Sequence, residues 1–573
     1  MATEQELVAL LHRADWTRLS LSGVVHGAAG PGFLVVTETP MRPFSPPPFP
    51  PPGSPWGPEL TLLVAPGRRY RLSTVDGQHV RGCDGERIWE WFAELPPGTD
   101  VRLAGRPLPP FPVLLIPSWL LSGYSLSLEE ETTVCGRAGL RVVATASGRR
   151  PDGKHLPGLI PVTPFRWLPV ERFDRAVAVV DAELGILLRC ESQRGDDEPD
   201  VTSFQELTVG GEADPEQFTA PAGSMTGGGS GSTGWPFGEA GREAAMTVAG
   251  LAAGGLGAAI RYAPRKRQDP FAQATHEDDP EPVMPADDPG PGFAAGAGGG
   301  LAPVSDEVLH LLYRSGLDVP RFTATMHQWI DFAALLDAVP EAARKTGFGG
   351  VGLLVDALGD TARDAGAHYV RRVRMGGWDR YRIDLTYPAP RPDEDPRARP
   401  GRHRFPPRTV ACDGERRWVV YAGRVEAGPA GPPLDEIVDL VDASWLLGCD
   451  LSGGSEVVAG GRPGYRVALE GRRRDSSGLG GFLEFFFPAV AVVDAESGRL
   501  LRLTHYMGGK PVVRAELRDI VADESDDFGF SPPAGLRVVE KPADAEPTPP
   551  NPVESMTRAA RGFLGALRGR TLG

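Results

Sequence analysis

The feature that most constrains this chain is that it repeats itself. ELVALLHR (6–13) aligns with EVLHLLYR (307–314), and LSGVVH (21–26) with FTATMH (322–327). RYRL (69–72) answers RYRI (380–383), CDGERIW (83–89) answers CDGERRW (412–418), and SWLL recurs at 118–121 and 444–447. GRAGLRV (136–142) returns as GRPGYRV (461–467), AVAVVDAELGILLR (176–189) as AVAVVDAESGRLLR (489–502), and FTAPAG (218–223) as FSPPAG (530–535). The blocks keep one order, so the chain reads as one unit used twice, and the 573 residues need not hold three or four unrelated domains. The reading is repeat 1 over 1–223, a linker over 224–304, repeat 2 over 305–540 and a tail over 541–573.

Composition fits that division. Gly and Pro are abundant (73 and 58 residues), and the region between the repeats carries both throughout. Residues 269–288 hold seven acids and no Lys or Arg, the pattern of a solvated linker, and they carry much of the net charge of −15. A chain so acidic lacks the basic face that a non-specific nucleic-acid binder needs. The linker also holds an Ala/Gly-rich stretch, about 239–262, read as a helix and too short and weakly apolar for a bilayer span. The tail matches it: Met556, Ala560, Phe563 and Leu567 fall on one helical face beside Arg558, Arg561 and Arg568. Either trailing helix suits docking on its own repeat or peripheral contact with an anionic membrane. The N-terminus carries acids where a secretory leader needs a basic start and an apolar run, so the expected location is cytoplasmic. Five widely spaced cysteines agree with reduced thiols.

Each unit opens with a short helix and is otherwise mostly strands. Asp84-Gly85 and Asp413-Gly414 between apolar runs predict tight hairpins. Asp181-x-x-x-Gly185 and Asp494-x-x-x-Gly498 predict a second, with Asp capping the turn and Gly in the left-handed region. GRxG predicts a third, and SWLL a short helix. Hairpin-linked strands with a few helices make an α+β or barrel-like unit. Its apolar face draws on Tyr70, Leu72, Trp89, Trp91 and Trp119 in repeat 1, and on Tyr381, Ile383, Trp418, Trp445 and Tyr465 in repeat 2. Period-2 patterning does not separate a packed core from an apolar cavity, though close packing is the norm.

No catalytic signature emerges. GxSxG, HExxH and GxxxxGK[ST] are absent from the sequence, and Gly229-x-Gly231-x-x-Gly234 matches a dinucleotide motif in letters only, within the linker. His26 and His327 recur at matching positions without an acid or thiol recurring beside them, which reads as strand-end histidines. Cys83 and Cys412 read as small half-buried strand residues, with Arg87 and Arg416 nearby as the one hint of a lowered thiol pKa. The chain is therefore read as a non-enzyme needing neither metal nor cofactor.

The order helix, strand, RYR strand, DG-x-x-x-W hairpin and closing F-[TS]-x-P-x-G resembles the outer-membrane lipoprotein carrier (LolA-like) family. DGERIWEW (84–91), DGERRWVVY (413–421), FTAPAG and FSPPAG carry the resemblance, which spans most of 5–223 and 305–540. It implies two open antiparallel β half-barrels in tandem, each with covering helices over a cavity for acyl chains. That tilts the inner faces towards a cavity and makes a lipid or other hydrophobic small molecule the expected partner. Residues 332–339 and 348–358 suit a lid or an ordinary covering helix. This chain departs from the family in its duplication, its trailing helices and its N-terminus, so lipoprotein trafficking does not carry over. The rival expectation is a regulatory module that binds a protein or membrane surface and has dry interiors.

Overall fold

The computed structural model describes residues 3–27, 59–92, 114–146, 174–227, 302–331, 366–386, 409–430, 437–469, 489–522 and 537–540, with short breaks inside some ranges. Residues 332–339 and 348–358, read as a lid or a covering helix, and both trailing helices lie outside them. Helix α1 (Glu4–Arg13) starts on a capping box, in which Thr3 and Glu6 satisfy each other's backbone N–H, and buries Leu7, Val8 and Leu11. Helix α2 (Asp306–Ser315) starts on Ser305 and buries Val308, Leu309 and Leu312. The rest is nearly all antiparallel sheet.

In the first half, the strands are β1 (Leu21–Gly27), β2 (Glu59–Ala65), β3 (Arg69–Thr74), β4 (His79–Asp84), β5 (Ile88–Phe92), β6 (Tyr124–Val134), β7 (Arg137–Ala146), β8 (Arg175–Asp181), β9 (Leu187–Gln193), β10 (Asp200–Val209) and β11 (Met225–Gly227). In the second they are β12 (Phe322–Asp331), β13 (Gly366–Met375), β14 (Arg380–Thr386), β15 (Thr409–Asp413), β16 (Arg416–Tyr421), β17 (Arg424–Pro429), β18 (Leu451–Ala459), β19 (Arg462–Leu469), β20 (Ala489–Asp494), β21 (Leu500–Met507), β22 (Lys510–Ala522) and β23 (Arg537–Glu540). The first sheet runs β11-β5-β4-β3-β2-β1-β10-β9-β8-β7-β6 and the second β18-β19-β20-β21-β22-β12-β13-β14-β15-β16-β17-β23. Ten strands of each follow one order, and the halves differ at one edge. There β11 adds antiparallel to β5, whereas β17 joins β16 and β23 adds parallel to β17. The α+β class and the open antiparallel sheets expected from the sequence are present in both halves.

The turn chemistry is as the sequence reads. Gly85 and Gly414 sit at φ +107° and +102°, and the Asp413 carboxylate accepts from the Glu415 and Arg416 backbone N–H groups at 2.9 and 2.7 Å. The Asp181 carboxylate accepts from the N–H groups of Glu183 and Leu184, both at 2.9 Å, with Gly185 left-handed behind it. SWLL forms 3-10 helices, Pro117–Leu121 and Ala443–Gly448, buried against the sheets.

Helices and 3-10 turns of both halves share a single apolar core. Its polar fastenings are reciprocal. His12 Nδ1 donates to the Leu447 carbonyl at 3.0 Å, while Tyr313, the residue aligned with His12, accepts from the Leu126 N–H at 2.8 Å. Arg13 pairs with Asp306 across the same seam. Among the described residues, no helix is long and apolar enough to cross a membrane.

Candidate functional site

Register decides which side chains face the helices. In the first sheet Tyr70 lies opposite Val64 and Cys83, and Leu72 opposite Leu62 and Arg81, so these share the inner face. In the second, Tyr381 lies opposite Met375 and Cys412, and Ile383 opposite Val373 and Val410. Tyr70, Leu72, Tyr381 and Ile383 are at most 2% exposed and belong to the core. Trp119 and Trp445 reach it from the 3-10 helices, and Trp119 meets Tyr124 edge-to-face at 5.7 Å. Tyr465 sits half-buried at the rim, its hydroxyl donating to Glu307 of α2 at 3.3 Å.

The remaining tryptophans are placed elsewhere. Trp89 lies opposite Gly82, and Trp418 opposite Ala411, one residue out of step with the inner positions. Trp89, Trp91 and Trp418 therefore occupy the outer faces, because a one-residue step in a strand reverses the side. The Trp89 ring lies over Gly82, where any Cβ would collide with it. Its indole N–H donates to the Phe218 carbonyl at 2.9 Å, and Arg69 stacks on the Phe218 ring at 5.4 Å. The repeated F-x-x-P-x-G ending thus closes a small outer core in the first half. The pairing of Gly82 with Trp89 across a DG hairpin is the one trace of this in the sequence.

Two buried ion pairs escaped the motif reading. Arg137 of GRAG binds Asp181 of the DxxxG turn through two nitrogens, one at 3.1 Å, and reaches Glu183 at 3.0 Å. Arg462 repeats this with Asp494 at 3.1 and 3.0 Å and with Glu496 at 2.6 Å. Burial alone would raise the Asp181 carboxyl, but the guanidinium and two backbone N–H groups outweigh it and hold the pKa low. The recurrence of both motifs was the available signal. Their spacing did not show that they meet.

The second sheet's outer face carries a charged cluster. Glu516 accepts from Arg514 at 2.7 Å and from Arg518 at 3.0 Å, and its carboxyl is held low by these arginines against the effect of burial. Trp329 lies beneath Arg514 and Arg518, with His327 stacked on it at 5.4 Å. Burial, then Arg518, lowers the His327 pKa, the direction of a neutral ring. In the first half His26 faces Ser203, which aligns with Glu516 by register. Cys83 and Cys412 are buried, none of the five cysteines forms a disulfide, and burial pushes the Cys190 thiol up to about 12. Among the described residues no His, Cys, Asp and Glu cluster suits a metal.

No family model matches the chain, and no curated protein does. Among solved structures it is similar to a chain of the Pseudomonas aeruginosa MucA/MucB complex, at 15% identity over 40% of this chain and 65% of that one, with a TM-score of 0.24. It thus spans less than two thirds of that chain. It is also similar to LprF from Mycobacterium bovis (10% identity, 41% and 100% covered, TM-score 0.22). A third is a LolA superfamily protein from Nitrosomonas europaea (12% identity, 40% and 99% covered, TM-score 0.18). Similarities of this extent carry no ligand, partner or activity over to this chain.

Proposed function

We propose that this is a non-enzymatic, cytoplasmic binding protein that holds lipid-like or other hydrophobic ligands between each sheet's inner face and the helices roofing it. The observation that supports this best is the make-up of that face. Tyr70 and Leu72, and Tyr381 and Ile383, stand in rows of large apolar side chains roofed by short helices where a sandwich would have a second sheet. A ligand enters by parting helix from sheet. Its affinity comes from apolar burial at about 0.8 kcal/mol per methylene, so about ten buried methylenes return roughly 8 kcal/mol against the costs of association.

A second reading, an interaction module with dry interiors that binds a protein or membrane surface, draws on the same residues being sealed, Leu72 at 0% and Tyr381 at 0% exposure. One experiment separates the two. Protein purified without detergent is expected to release lipid on solvent extraction and to enhance the fluorescence of an added fatty-acid probe. Empty protein that leaves the probe's emission unchanged would sink the ligand reading and leave the module.

A further inference from the structure

The DxxxG hairpins differ at two buried positions. DAELGI (181–186) aligns with DAESGR (494–499), so Ser497 and Arg499 stand where the first half has Leu184 and Ile186. Ile186 is fully buried in the shared core, and Leu184 packs against it. Arg499 is buried almost as deeply, at 4% exposure. Its guanidinium lies over the Phe322 ring, 4.4 Å from the centroid. Phe322 belongs to the core and lies opposite Met375, which lies opposite Tyr381, so Arg499 reaches the inner face where its apolar row begins.

This cation is short of partners. Among the described residues none accepts a hydrogen bond from its guanidinium, and its Nε is shut off from solvent. The buried carboxylate that acts on it, Asp494, is already held by Arg462 at 3.1 and 3.0 Å and accepts from the Ser497 hydroxyl at 2.5 Å. Two guanidinium groups therefore share one buried carboxylate, because Glu496 is 80% exposed. Burial pushes the Arg499 pKa down to about 10 against the pull of Asp494, which leaves the side chain charged at neutral pH. A buried cation is costly unless its donors are satisfied. The fold does not need it. In the first half the same hairpin lays Gly185 on Leu10, as Gly498 lies on Leu311, with an isoleucine next in line.

From this we infer that the second half takes an amphiphile with a carboxylate head, that Arg499 is the residue the head meets, and that the tail lies along Phe322, Ala324 and Met326 of β12. The inference rests on the ligand-binding reading above. A guanidinium is weakly hydrated and presents a fork of N–H donors matched to a carboxylate, so the head satisfies the donors that the chain leaves unmatched. The three tail-side residues are at most 6% exposed, and they form an apolar row about 13 Å long at the rise of a strand.

The test is a fluorescence titration of the full chain with cis-parinaric acid and with its methyl ester at neutral pH, in wild type, Arg499→Ile and Arg499→Met. Wild type is expected to bind the acid about tenfold more tightly than the ester, and both variants to bring that ratio within about twofold while ester binding stays. Arg499→Ile takes its residue from the first half, and Arg499→Met keeps much of the length without the charge, so one remains informative if the other does not fold. The melting temperature of lipid-free Arg499→Ile is expected to hold or rise, because a buried charge has gone. Equal affinity for acid and ester in wild type overturns the inference while leaving the binding reading intact. An acid preference kept in both variants overturns the assignment to Arg499, and a lowered melting temperature alongside it makes the residue structural. If neither probe binds wild type, the underlying reading itself is removed.

Discussion

Single residues decide what this fold tolerates where charge goes under cover. Asp181 is fully buried and held ionised by Arg137, and Glu516 is buried beneath Arg514 and Arg518. Both carboxyls titrate lower in the folded chain than in the unfolded one, where 3.8 and 4.5 are the ordinary values. Their contribution to stability is therefore complete above about pH 5 and is lost as pH falls through the lower folded values. Thermal unfolding followed by circular dichroism is expected to show Tm falling steeply below pH 4. Asp181→Asn should cost about 3 kcal/mol at neutral pH, because it leaves Arg137 with only the exposed Glu183 as its carboxylate partner, and should flatten the acid limb. An unchanged acid limb in that variant would refute the assignment. The face of Trp89 is also settled at this scale. The motif DGERIW placed an aromatic in a hairpin, but inner or outer follows from counting through two successive turns, and one residue more in either reverses the answer.

At the scale of elements, the DxxxG hairpins do more than turn the chain. Each lays its glycine against a helix carbonyl, Gly185 on Leu10 and Gly498 on Leu311, at φ +73° and +70°. A Cβ at either position runs into that carbonyl oxygen and is forced into the left-handed region as well. Gly498→Ala is expected to cost about 2–3 kcal/mol, read as a lowered urea midpoint at unchanged m-value. A loss under about 0.5 kcal/mol would mean the hairpin does not dock on α2 as described. The strands and hairpins were legible because Asp-Gly, DxxxG and period-2 alternation are local signals. The docking of hairpin on helix was not, since it joins residues far apart in the chain. GRxG and DxxxG could each be read as a turn, yet that Arg137 and Arg462 complete the Asp cages depends on β7 lying beside β8 and β19 beside β20.

The whole molecule is bound together by the seam between halves. α1 and α2 bury Leu7, Leu11, Val308 and Leu312 in one core, with His12 reaching Leu447 and Tyr313 reaching Leu126. Opening either half therefore exposes apolar surface of the other. Scanning calorimetry of the full chain is expected to give one cooperative transition, with Tyr313→Phe lowering it as a unit, since the buried Leu126 N–H loses its acceptor at a cost of about 1–3 kcal/mol. Two resolved transitions, only one of them moved by the substitution, would contradict a shared core.

The amino-acid sequence by itself determined the repeated block order, the hairpin chemistry and the apolar rows, because each is written in neighbouring residues or in a comparison of one stretch with another. Tertiary structure alone decided which face each tryptophan takes, which Arg meets which Asp, that the halves fasten to each other, and that Arg499 is buried over the Phe322 ring. Those outcomes depend on register and on contacts between residues distant in the chain, and no local pattern encodes them.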